Sequence, residues 1–142
     1  MTSLNAEAQV SARTQPTAYR VVLQDAQGHQ WQADEPLAVG GQDSGPNPKQ
    51  LLLSALGACT AITLRMYAER KGWPLQHVEV TLAYAPVASE DTSPVILSQI
   101  HLEGPLDDTQ RERLLKIAQV CPVHKLLSQP LQIDSRLWEA EV

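Results

Sequence analysis

Two cysteines, Cys59 and Cys121, are the residues of this 142-residue chain best suited to chemistry. A thiolate is both the nucleophile and the redox-active form of cysteine, so the question is what local structure does to each thiol. Cys121 stands directly before Pro122, at the N-cap of a short helix expected over Val123 to Ser128. Amide N–H groups and the helix dipole favour a thiolate at that position. His124 lies one turn on and can add positive charge or a proton. Cys59 is in the middle of a long apolar stretch, where desolvation raises a thiol pKa. Its reactivity requires a compensating cation or hydrogen bond, and Lys49 and Arg65 lie too far round or along the same helix to supply it. Inert packing competes for both residues, because a free cysteine is a small hydrophobe that is commonly buried. The two thiols are far apart in sequence, so whether they meet depends on the fold.

Other chemistries find less support. Cys59, Cys121 and His124 could join His29, His77 or His101 around a metal, but the close ligand pairs of zinc sites are absent, and no metal is expected. Gly40, Gly41 and Gly45 precede a helix without the spacing of a phosphate-binding loop or a preceding apolar strand. No nucleophile elbow occurs. The net charge is −5 and the 11 basic residues are scattered, which argues against nucleic acid. Residues 1–15 are polar and small, without the basic start and apolar run of a signal peptide, so a cytoplasmic location is expected. Two cysteines in a reducing compartment then point to redox chemistry or core filling, not to a static disulfide.

The elements that must position these residues follow from periodicity. Residues 1–18 read as a flexible N-terminal segment, followed by one domain over 19–142. Tyr19 to Leu23 and His29 to Ala33 form a hairpin around a turn at Gln24 to Gly28. A Gly- and Pro-rich loop leads to Asn47, which caps a helix opening with Pro48 and ending at Lys71, before Gly72 and Pro74. The helix is apolar nearly all round, with Ala55, Gly57, Ala58 and Ala61 clustered near Cys59, and is expected to be enclosed by other elements. Its apolar stretch, Leu51 to Ala68, contains Ser54, Thr60, Thr63 and Arg65 and reads as a buried helix instead of a membrane span. Val78 to Ala85 and Val95 to Glu103 alternate as half-buried strands. Asp107 to Thr109 open a second helix with Leu114, Leu115, Ile117 and Ala118 on its apolar face. Leu131 to Leu137 reads as a closing strand. Trp31, Trp73 and Trp138 read as core or interface fillers. Strands and helices do not alternate regularly, so the class is α+β with antiparallel sheet.

The run from Gly45 to Leu64, centred on Gly57-Ala58-Cys59, together with Cys121-Pro122-Val123-His124, resembles the OsmC/Ohr family of hydroperoxide-reducing thiol proteins. Asp34-Glu35-Pro36, Gly40-Gly41, Met66 to Leu75 and Leu114 to Ala118 extend the resemblance across Tyr19 to Leu137, on the side of the OsmC-like branch. The resemblance implies an intertwined homodimer in which a curved antiparallel sheet wraps around two long central helices. It also implies a peroxiredoxin-like organic hydroperoxide reductase with no cofactor, in which a Cys59 sulfenic acid is resolved by Cys121 and an external thiol or dithiol restores both. Lys49 stands where characterised peroxidases of the family carry a Glu, with Gln50 beside it. Arg20 is the basic residue of the first hairpin, and Arg20, Gln50 and His124 are the supporting candidates. A different thiol-redox role, or binding of a hydrophobic ligand on the same scaffold, is the alternative.

Overall fold

The computed structural model describes residues 9–139, which divide into two units at Ser54 and Ala55. The first unit holds strands β1 (Val10–Thr14), β2 (Val21–Asp25) and β3 (Gln30–Ala33), paired antiparallel in that order. The expected hairpin is β2–β3. Strand β1 corrects the expectation of a flexible segment over residues 1–18, since Val10 to Thr14 pair in register with Asp25 to Val21. All of its residues are exposed, so ladder hydrogen bonds and not apolar burial hold it, and periodicity had nothing to report. Residues 1–8 lie outside the described residues.

The loop after β3 is organised by one carboxylate. Asp34 is only 1% exposed and accepts from the backbone N–H groups of Glu35, Gln42 and Ser44 and from the Ser44 hydroxyl at 2.6 Å. The Ser44 hydroxyl, with these amides, holds its pKa below the ordinary carboxylate value against the opposing effect of burial. Gly41 is required here, because a Cβ would lie 1.8 Å from the Glu35 carbonyl oxygen.

Helix α1 (Pro48–Lys71) has the limits its punctuation predicts. The Gln50 N–H donates to Asn47 Oδ1 and the Asn47 N–H to Gln50 Oε1, both at 2.9 Å, a reciprocal cap. At the other end Gly72 takes φ 67°, and Trp73 N–H reaches the Ala68 carbonyl, closing the last turn.

The second unit contains the antiparallel pair β4 (His77–Tyr84) and β5 (Ile96–Glu103), then α2 (Asp108–Ala118) and α3 (Pro122–Leu127). Helix α2 repeats the reciprocal cap with Asp107 and Gln110. Its Arg111 guanidinium donates to the carbonyls of Leu102 and Gly104, tying the helix to the end of β5. The core is formed by Leu64 and Ala68 of α1, Leu75, Leu106, and Leu114, Ile117 and Ala118 of α2. Val78, Ile100 and Leu102 pack on it from the sheet, and Trp73 packs on it while meeting Tyr67 edge-on at 5.5 Å.

Further expectations are corrected. The described residues do not enclose helix α1: its buried residues, Leu56, Thr60, Leu64 and Ala68, make one stripe at four-residue spacing, whereas Leu52, Ile62 and Met66 are exposed. It is long and apolar enough to cross a membrane, yet this stripe is part of the core, and Arg65 donates from mid-helix to the carbonyls of Leu75 and Gln76. Leu115 is exposed, because α2 meets the core through the 114/117/118 edge alone. Leu131 to Leu137 is not a strand among the described residues. It pairs with no neighbour, and Leu131, Ile133 and Leu137 are exposed. Trp31 and Trp138 are exposed, so of the two expected roles, core or interface, neither residue fills a core.

Leu64 is fully buried, so Leu64→Ala is expected to cost roughly 3 kcal/mol in urea unfolding. Asp34→Asn is expected to lower the melting temperature near neutral pH. Because the folded-state pKa of Asp34 is depressed, its contribution is present above about pH 4 and is lost as the pH falls through the folded-state value. The gap between wild type and variant, followed by circular dichroism, should therefore narrow in acid.

Candidate functional site

Cys59 is at the middle of α1, where small neighbours leave room for what packs against it. Gly57 is two residues before it, on another face of the helix, and a Cβ there would lie 2.9 Å from Cδ1 of Leu82 on β4. Cys121 enters from the other end of the second unit. Gln119 ends α2, and the chain turns at Cys121 into α3 with Pro122 as its first residue. Proline suits that position because its missing N–H would have no helical partner there.

The fold brings the two cysteines together. Both are free thiols, Cys121 fully buried and Cys59 half-buried, and they lie close enough for Cys121 to act on Cys59. His124 N–H, in the first turn of α3, donates to Cys121 Sγ at 3.5 Å. Burial, and next the neighbouring Cys121, push the Cys59 thiol up from its ordinary value, with the Val123 backbone and the Thr63 side chain opposing. The opposing groups are polar neighbours and not a cation, and burial outweighs them.

The supporting candidates have other partners. The His124 ring is 3.3 Å from Ser128 Oγ through Nδ1, and its backbone N–H donates to Cys121 Sγ. Gln50 is engaged in the reciprocal cap of α1. Arg20 donates to Gln32 Oε1 at 3.0 Å within the first unit, and Gln32 in turn donates to the Ser44 carbonyl. The first turn of α1 has no acidic residue, and Lys49 occupies it. Sequence reasoning missed Val123 and Thr63. A donor from the first turn of α3 was expected to favour Cys121 alone, and the four-residue spacing of Thr63 from Cys59 was the available signal for the other.

A cleft of about 170 Å³ is walled by Leu56 and Thr60 of α1, Ser98 and Ile100 of β5, Leu115, Ala118 and Gln119 at α2, and His124 of α3, sequence neighbours of both cysteines among them. Its walls are mainly apolar. The exposure of Leu115 belongs to this cleft.

Chemically, two adjacent thiols can pass between a dithiol and a disulfide. A sulfenic acid formed on one would meet the other directly, releasing water as the sulfur–sulfur bond forms.

Residues 41–136 match the family model described as OsmC-like protein. No curated protein sequence matches the chain. Among solved structures, an OsmC-like protein from Mycoplasma pneumoniae superposes with a TM-score of 0.72 at 18% identity, over 88% of this chain and 89% of that one. An organic hydroperoxide resistance protein OsmC, also described as a predicted redox protein and regulator of sulfide bond formation, from Legionella pneumophila gives 0.63 at 21% identity, over 85% and 88%. The organic hydroperoxide resistance protein OhrB of Bacillus subtilis gives 0.57 at 21% identity, over 84% and 89%. The mixed α+β fold with antiparallel sheets agrees with these structures, and the family match spans both cysteines: the chain belongs to the OsmC-like family.

Proposed function

We propose that this protein reduces organic hydroperoxides with Cys59 as the attacking thiol and Cys121 as the resolving one. The observation that carries the reading is the closeness of two free thiols, Cys59 in the middle of α1 and Cys121 at the start of α3. Family membership supports it, as do the names of the Legionella and Bacillus proteins.

The steps balance without a cofactor. Cys59 thiolate attacks the distal oxygen of the hydroperoxide and the O–O bond breaks, leaving a sulfenic acid and an alkoxide that takes a proton to become the alcohol. Cys121 then attacks the sulfenic sulfur, and water leaves as the disulfide forms. An external thiol or dithiol gives its electrons by exchange and leaves oxidised. The largely apolar cleft suits an organic substrate better than hydrogen peroxide.

A second reading has its own observation. The family Glu is replaced by Lys49, and no acid stands in the first turn of α1. Thiol redox exchange without efficient peroxide reduction would follow from that loss. A second copy of the chain is also proposed as partner, because Ile62 and Met66 of α1 and Leu131, Ile133 and Leu137 leave apolar surface uncovered.

Stopped-flow mixing with cumene or tert-butyl hydroperoxide should show rapid thiol loss in wild type and none above background in Cys59→Ser. Cys121→Ser should accumulate a sulfenic acid that dimedone traps. Since the Cys59 thiol is pushed up, the wild-type rate should keep rising with pH past the ordinary thiol value of about 8.5. Equal, slow consumption by wild type and Cys59→Ser would refute the peroxidase. Fast oxidation by oxidised dithiols beside slow oxidation by peroxides would favour the second reading. Light scattering should give twice the 15.6 kDa chain mass, and a monomer mass would remove the proposed partner.

A further inference from the structure

Ser128 closes α3, and its single hydroxyl hydrogen decides which nitrogen of the His124 ring is protonated. Ser128 Oγ lies 2.6 Å from the His124 carbonyl oxygen and 3.3 Å from His124 Nδ1. A carbonyl can only accept, so the hydroxyl hydrogen is spent on it, as a serine commonly does toward the preceding turn. Oγ can then only accept from Nδ1, which puts the ring hydrogen on Nδ1. In the neutral imidazole Nε2 is left with a lone pair and no hydrogen. Among the described residues Nε2 has no protein partner.

His124 is also a wall of the cleft of about 170 Å³. The other polar groups there are poorer anchors. Thr60 spends its hydroxyl hydrogen on the Leu56 carbonyl at 2.8 Å, and Ser98 and Gln119 are exposed, where water competes for them. His124 is half-buried, so a bond to its ring meets less of that competition. We infer that His124 anchors a ligand in this cleft by accepting a hydrogen bond at Nε2, and that the ligand is a small organic molecule with a compact apolar body and one O–H group. Leu56, Ile100, Leu115 and Ala118 take the body, and the volume is too small for a drug-sized molecule. The inference deepens the proposed peroxide reduction and rests on it for the kind of ligand, since an organic hydroperoxide and the alcohol it leaves both carry such a group. No proton is transferred: the O–H bond stays intact and the ring stays neutral. An ether of the same shape has no hydrogen to give, so Nε2 selects against it.

The test needs no turnover and uses the full-length protein. Long-range proton–nitrogen NMR spectra, recorded where the ring is neutral, are expected to show His124 protonated at Nδ1. Titration with cumyl alcohol, the product of cumene hydroperoxide, is expected to shift the Nε2 resonance. The methyl ether of cumyl alcohol is expected to bind about fivefold more weakly, the size of one ordinary hydrogen bond. His124→Leu is expected to remove that preference, so that alcohol and ether bind alike. If His124→Leu does not fold by circular dichroism, His124→Phe gives the same comparison. A ring protonated at Nε2 overturns the proposal, as does equal binding of alcohol and ether by wild type, or a folded variant that keeps the preference. Absence of any binding of the alcohol overturns it too. Peroxide consumption is not scored, so a protein without peroxidase activity can still pass this test and an active peroxidase can still fail it.

Discussion

Everything at the thiol pair depends on the first turn of one six-residue helix. The opening amides of any helix lack partners within it, and here Pro122 removes one of them. Of the next two, the His124 N–H donates to Cys121 Sγ, and the Val123 backbone is the group of α3 that lowers the Cys59 thiol. One short turn therefore acts on both cysteines. This turn follows α2 directly, and α2 is anchored by the reciprocal Asp107–Gln110 cap, the Arg111 bonds to strand carbonyls, and the Leu114 core. Displacing α2 would move Cys121 and with it the Val123 backbone.

How much of this was legible depends on whether the deciding force acts along the chain or across it. Helix α1 was readable to its ends because Asn47, Pro48 and Gly72 act locally. The N-cap position of Cys121 was readable for the same reason, from Pro122 alone. Strand β1 was not, since Val10 to Thr14 bury nothing and are held by ladder bonds to residues beyond a turn. The roles of Arg20, Gln50 and His124 were suggested by position and similarity. Their side chains bond Gln32, Asn47 and Ser128, partners that composition does not reveal.

The uncovered side of α1 was the least legible feature, because an apolar helix reads the same whether its second face meets its own chain or another. In the described residues one stripe is buried, and Ile62 and Met66 face outward. The unpaired segment from Leu131 to Leu137 poses the same question for a strand. Extended backbone with exposed Leu131, Ile133 and Leu137 has hydrogen-bonding groups and apolar side chains that a single chain leaves unused.

The two free cysteines also tie oxidation to folding through ordinary linkage. A bond between Cys59 and Cys121 would close a loop containing both strands of the second unit and all of α2. Chain-entropy arguments give such a cross-link about 4 kcal/mol of stabilisation, by restricting the unfolded chain. Thermodynamic reciprocity then requires the native fold to favour the disulfide by the same amount over the unfolded chain. A denaturant that loosens α3 would thus make the pair easier to reduce, and the protein's redox potential would track the integrity of one short helix.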